Sequence, residues 1–193
     1  MPINLDHILE PNEKYGSGLF RRRILLQKFH HKILCELEDY CHGFRVIVHH
    51  DGTLITDIDA TTIRAPVDIC FNARDAIIEL VGQPLKGDRK SLANVSHPTN
   101  NCTHIYDLVV LALAHAARNT PTRLYDIEVD DEKNGILHSR AILDGSLIHR
   151  WQVNTDDLIE SPEDLMGCSV MRGTGKWINQ KLTGDASEAA KML

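Results

Sequence analysis

The sequence predicts an α+β fold: antiparallel sheet from two strand groups, with two central helices and a short C-terminal helix. Three observations carry this prediction. Strand-like runs come in a group of four and a later group of three, and the helical patterns lie together between them rather than alternating as a βαβ plan requires. Turn dipeptides, Asp51-Gly52 and Asp144-Gly145, close runs of alternating polarity in the way hairpins do. The chain of 193 residues is 42% apolar, enough for one continuous core.

Taken in order, residues 1–18 hold Pro, Asn, Gly and Ser without periodicity and read as an irregular arm. The runs "LFRRRILLQKF", "HKILCELED" and "HGFRVIVHHDG" follow, and in the last of them Phe44, Val46 and Val48 alternate with Arg45 and His49. "TLITDIDATTI" pairs back as the hairpin partner. "NARDAIIELVGQP" reads as a short helix, with Asn72 as N-cap, a face of Ala76, Ile77, Leu80 and Val81, and Gly82 and Pro84 as stop signals. A polar loop of the functional or partly helical kind leads to "NNCTHIYDLVVLALAHAARN", a helix that Pro121 ends. The second strand group is "RLYDIEVD", "GILHSRAILDG" and "SLIHRWQVN", and "GTGKWINQKL" forms the last helix. The expected organisation is a single globular domain over 19–182, with 183–193 as a flexible tail.

A formal charge of -6 and a pI near 6.0 offer no basic field for nucleic acid. No charged-then-apolar leader and no run near the ~18 residues of a membrane span is present, so a cytoplasmic protein without membrane contact is expected. Five scattered cysteines, odd in number and without a Cys-x-x-Cys pair, predict reduced thiols, and they lack the paired ligands of a structural zinc site. Phosphate loops, G-x-S-x-G elbows, H-E-x-x-H and G-x-G-x-x-G motifs are all missing, so no nucleotide cofactor is expected.

The chemistry candidates lie at element ends. Cys102, Thr103 and His104 open the central helix, where unpaired N–H groups and the positive dipole end favour a thiolate and a neutral imidazole. The plainer reading makes Cys102 a small filler and His104 a cap, with Thr103 or Asn101 capping the same turn. On a helical wheel His104, Asp107, Leu108, Leu111, His115 and Arg118 share a stripe that faces either solvent or an enclosed polar cavity. In "EDYCHGF", His42 is in phase with Phe44, Val46 and Val48, and Asp39 with Ile33, Cys35 and Leu37. The two then face inward across a hairpin, as an acid–base pair or as a structural one. Arg64 precedes a Pro-forced extended segment, where it serves as an anion holder or as a surface ion-pair partner. Cys70 sits just before a helix start, an electropositive place for a thiol.

Together "LEDYCHGFRVIVHHDG", "IRAPVDIC…ARDAIIELVGQPL" and "NCTHIYDLVVLALAHAAR…YDIEV" resemble the bacterial domain-of-unknown-function family 2889, from about Phe20 to Trp177 and including the Trp151 strand. The resemblance marks Asp39, His42, Arg64, Cys70, Cys102, Thr103 and His104, and the chain departs from the family pattern at Cys41, Gly43 and Val67. It implies one family domain and no established reaction. Relatives in bacteria that degrade aromatic, terpenoid or steroid-like compounds would suggest a catabolic enzyme. The leading expectation is a cofactor-independent lyase, hydratase or isomerase acting on a small, largely apolar molecule. Asp39, His42, Arg64, Cys102 and His104 are then catalytic, and Cys70, Thr103, Asp107 and Trp151 bind substrate. The rivals are a non-catalytic ligand-binding or assembly domain and a metal site using Cys70, Cys102, His104 and His42. No metal or other cofactor is assigned; the expected partner is a small-molecule ligand, with homo-oligomer formation left open.

Overall fold

The computed structural model describes residues 18–67, 70 and 74–193, which divide into two compact units. The expected N-terminal arm, apart from Gly18, and the N-cap Asn72 lie outside the described residues.

The first unit is Arg23–Arg123. Its strands are β1 (Leu19–Phe29, from Arg23 on), β2 (Lys32–Glu38), β3 (Gly43–His50) and β4 (Ile55–Arg64), in the antiparallel order β4-β3-β2-β1. Period-two alternation decides which side chains share a face. Leu26, Cys35 and Val46 lie side by side across three strands, and Leu37 pairs with Phe44 in the same layer. The helix α3 (Thr103–Ala116) packs on β2 and β3 and buries Ile105, Tyr106, Leu108, Val109, Leu111, Ala112 and Leu113. It is hydrophobic almost all round because it is enclosed almost all round.

The predicted short helix is one α-turn, α1 (Arg74–Ile77), running into a 3-10 turn over Ile78–Leu80, with Ile77 and Leu80 fully buried. Val81, expected on its core face, is exposed, because the helix ends before it and the chain has already turned extended there. The polar loop that follows is partly helical. Asp88 caps α2 (Arg89–Ala93) in a reciprocal box with Ser91, and a 3-10 turn spans Pro98–Asn100.

Of the two readings of the α3 stripe, solvent or an enclosed polar surrounding, His115 takes the enclosed one: it is 0% exposed, and its Nε2 lies 3.4 Å from the Pro121 carbonyl. Burial pushes its pKa below the usual histidine value; the Pro121 hydrogen bond opposes this, and the cations Arg118, Lys28 and Arg123 each add a smaller lowering. Burial also lowers His50, with His31 adding to it. A histidine depressed in the folded state leaves stability intact above its unfolded pKa and removes stability as pH falls below it, since the unfolded chain then binds more protons. The melting temperature is therefore expected to fall between about pH 7 and pH 5, and His115→Gln to shrink that fall. An unchanged pH dependence in the variant would refute the assignment.

The second unit joins residues 18–22 to Leu124–Leu193. Its strands β5 (Thr122–Asp130), β6 (Ile136–Leu143), β7 (Ser146–Asn154) and the unpredicted three-residue β8 (Ile159–Ser161) form an antiparallel run in that order. Asp144 and Gly145, at φ of 49° and 81°, make the two-residue turn between β6 and β7 that the Asp-Gly pair predicts. Trp151, Val153, Ile159, Trp177 and Ile178 form the core beside α4 (Thr174–Lys181).

The expected flexible tail is instead a helix, α5 (Gly184–Ala190). Its Ala189 and Ala190 are buried, and His149 Nε2 on β7 donates to the Ala186 carbonyl at 2.7 Å. The small side chains of Ala189 and Ala190 let the helix lie close to the sheet.

Candidate functional site

The site lies in the first unit, where the turn between β2 and β3 meets the first turn of α3. Asp39 is 2% exposed and its carboxylate organises the turn: Oδ1 accepts from the backbone N–H groups of Cys41 and His42, both at 2.9 Å. The Asp39 N–H donates back to the His42 carbonyl at 2.9 Å, closing the loop. The same carboxylate faces the His42 ring, with Nδ1 at 3.0 Å from Oδ1 and 3.2 Å from Oδ2. An ionised carboxylate only accepts, so this contact assigns the ring hydrogen to Nδ1 and leaves Nε2 with its lone pair.

His104 comes from the first turn of α3. Its ring centroid is 4.1 Å from that of His42, the planes inclined at 39°. Phe44, wholly buried at the start of β3, forms the floor: its ring stacks on His42 at 5.6 Å and 23°, and on His104 at 5.6 Å and 21°. Asp39, His42 and His104 each present a donor atom within 4.8 Å of the others. Among the described residues they are the group so placed, and the group contains neither Cys70 nor Cys102.

Arg64 stands behind this cluster. Its guanidinium donates to Glu38 Oε1, to the Asp39 carbonyl at 2.5 Å and to the His42 carbonyl at 3.2 Å, while Nε reaches the Tyr40 carbonyl at 3.3 Å. These bonds tie β4 to the turn, so Arg64 positions the turn rather than presenting an empty anion site. A Cβ on Gly43 would come within 3.2 Å of Glu38 Oε2, a tight approach that the Glu38 side chain would have to yield to.

The remaining expected residues divide. Cys102 is the N-cap of α3 but makes no side-chain cap bond; Thr103 is exposed and the Asn101 amide turns away to Ser96 and His97, so the expected capping by Thr103 or Asn101 does not occur. Cys70 is hydrogen-bonded to the Cys102 side chain, and partial burial together with this neighbour pushes its thiol pKa up, against the activation expected at a helix start. Burial is the larger cause, since it disfavours the charged thiolate, and the neighbouring Cys102 thiol adds to it. Asp107 lies outside the cluster in an ion pair with Arg89 of α2. Trp151 is a core residue of the second unit, its ring centroid 5.7 Å from that of Trp177. All five cysteines are free. Sequence reading did not assign Phe44 to the site, although its phase with His42 was the available signal.

Residues 24–119 match the family described as "Protein of unknown function (DUF2889)", and through that segment the chain belongs to this family. The match covers every residue of the cluster and ends before β5, so the later Trp151 strand and Gly-Trp segment are not part of it. No curated protein and no solved structure matches the chain. No helix of the described residues is long and apolar enough to cross a membrane.

Proposed function

We propose that the first unit is an acid–base catalyst, a lyase, hydratase or isomerase acting on a small, largely apolar molecule. The observation that carries this reading is the convergence of a buried, turn-locked carboxylate and two imidazoles 4.1 Å apart. Asp39 holds His42 in one tautomer and stabilises the imidazolium formed when Nε2 takes a proton, the task of the orienting carboxylate in any carboxylate–imidazole pair. One ring removes a proton from carbon. The other then returns a proton to a departing hydroxyl in a dehydration, or to a neighbouring carbon in an isomerisation. Tyr40 in the same turn and Ile63 beside Gly43 leave apolar surface exposed, which suits an apolar substrate. The free thiols agree with a cytoplasmic setting.

The test is a panel of hydroxylated and unsaturated terpenoid, steroid and aromatic acids, followed by mass spectrometry for gain or loss of water and by NMR for isomerisation. His104→Ala is expected to abolish turnover while the melting temperature stays within a few degrees. Stability lower by about 1 kcal/mol or more, with turnover of the panel unaltered, would make His104 a structural residue and end this reading.

A further inference from the structure

We propose that Asp39, His42 and His104 bind one divalent first-row transition-metal ion, as a set of two imidazoles and one carboxylate. The inference rests on the same cluster as the acid–base reading and goes beyond it by moving the proton-carrying role from the imidazoles to a water that the ion would hold and polarise. The cluster combines two borderline nitrogen donors with one anionic oxygen, the mixture that zinc, iron(II) and cobalt(II) take in open sites.

The geometry is close to what an ion needs. Metal–nitrogen bonds of about 2.1 Å at a right angle put two ring centroids roughly 4.5 Å apart, and His42 and His104 stand at 4.1 Å. The same bonds at a right angle separate neighbouring ligand atoms by about 3.0 Å, the spacing of His42 Nδ1 from Asp39 Oδ1, so an ion held between them takes the place of the Nδ1 hydrogen and the ring carries its hydrogen on Nε2 instead. The widest separation in the group, bounded at 4.8 Å, exceeds by roughly half an ångström the span of about 4.2 Å for opposite ligands. Rotation of a partly exposed imidazole closes that gap.

The surroundings are those of a prepared site. The carboxylate is buried and locked by two backbone N–H groups, so little side-chain freedom remains to be lost on binding. Phe44 stacks on both rings and supports them from one side. Three protein ligands leave coordination positions for water or substrate, as catalytic rather than structural ions require. With the ion in place, its bound water becomes the proton carrier and the imidazoles become ligands.

The experiment uses the full chain, stripped with chelator and titrated with cobalt(II), recording visible absorption and calorimetric heat, with metal content after dialysis measured by mass spectrometry. A visible d–d band saturating at one ion per chain, weakened at least tenfold in affinity in His42→Ala and in His104→Ala but unaltered in the second-unit control His138→Gln, is the expected result. Circular dichroism of each variant checks that it folds, and the conservative His42→Gln repeats the test if the alanine variant does not. Absence of a band and of saturable heat in the wild type, or binding that survives both histidine variants, overturns the metal site. The outcomes separate the two proposals: turnover by chelated protein that His104→Ala abolishes, with no cobalt band or saturable heat in the wild type, would sink the ion and leave acid–base catalysis standing. Stoichiometric binding in a protein whose panel turnover ignores His104→Ala would retain the ion and sink the catalytic reading.

Discussion

Phe44→Ala is expected to cost about 3–5 kcal/mol of stability and to dismantle the candidate site in the same step. Phe44 is 0% exposed, paired with Leu37 on β2 and with Thr62 on β4, in the layer that faces α3. Truncation leaves a ring-sized void that the two strands and the helix cannot fill by local movement, since β3 is held on both edges. The same ring stacks on His42 and His104, so its loss frees both imidazoles to rotate. Phe44→Leu separates the effects: most of the volume is kept, stability falls by about 1 kcal/mol, and cobalt affinity still drops because the flat support is gone. Urea unfolding checks the first part and metal titration the second. A loss below about 1 kcal/mol for the alanine variant would mean that the layer beneath the site is not close-packed.

Glu36→Ala is expected to be as damaging for an electrostatic reason. Glu36 and Arg45 are direct cross-strand partners on β2 and β3, on the sheet face opposite Phe44, and they are 0% and 5% exposed. Arg45 Nε donates to Glu36 Oε1 at 2.8 Å, with Nη2 at 2.6 Å from the same oxygen. Removing the carboxylate takes the bidentate partner from a guanidinium in a low-dielectric layer, a change that costs about 3–5 kcal/mol. Replacing both residues, as Glu36→Leu with Arg45→Met, is expected to recover most of that loss, since neither charge then needs solvating. Urea unfolding of the single and double variants forms the cycle. A double variant no more stable than Glu36→Ala would show that further contacts of the pair outweigh desolvation.

What was legible in the sequence is what short-range pattern controls. Alternation over Phe44, Val46 and Val48 put His42 on the inward row, and the phase of Ile33, Cys35 and Leu37 put Asp39 there too. Both placements agree with the structure, because period two along a strand leaves a residue only two faces to choose between. The Asp144-Gly145 turn and the apolar length of α3 were readable for the same reason: each depends on neighbours a few residues away. Periodicity says which residues share a face, but not what covers that face. The alternation that set Arg45 apart from Phe44, Val46 and Val48 therefore left open that its own face, shared with Glu36, is buried, and the α3 stripe stayed open between solvent and an enclosed cavity until the structure enclosed His115. Arg64 seemed available for an anion because the Glu38 carboxylate and the turn carbonyls that occupy it lie more than twenty residues away in the chain. The encounter of His104 with His42 is the largest step of this kind. Local chemistry prepared each residue at its own element end, but only the packing of α3 on β2 and β3 closed sixty-odd residues of chain into a 4.1 Å contact, because that distance is set by the apolar layer between helix and sheet and not by the spacing of the histidines along the sequence.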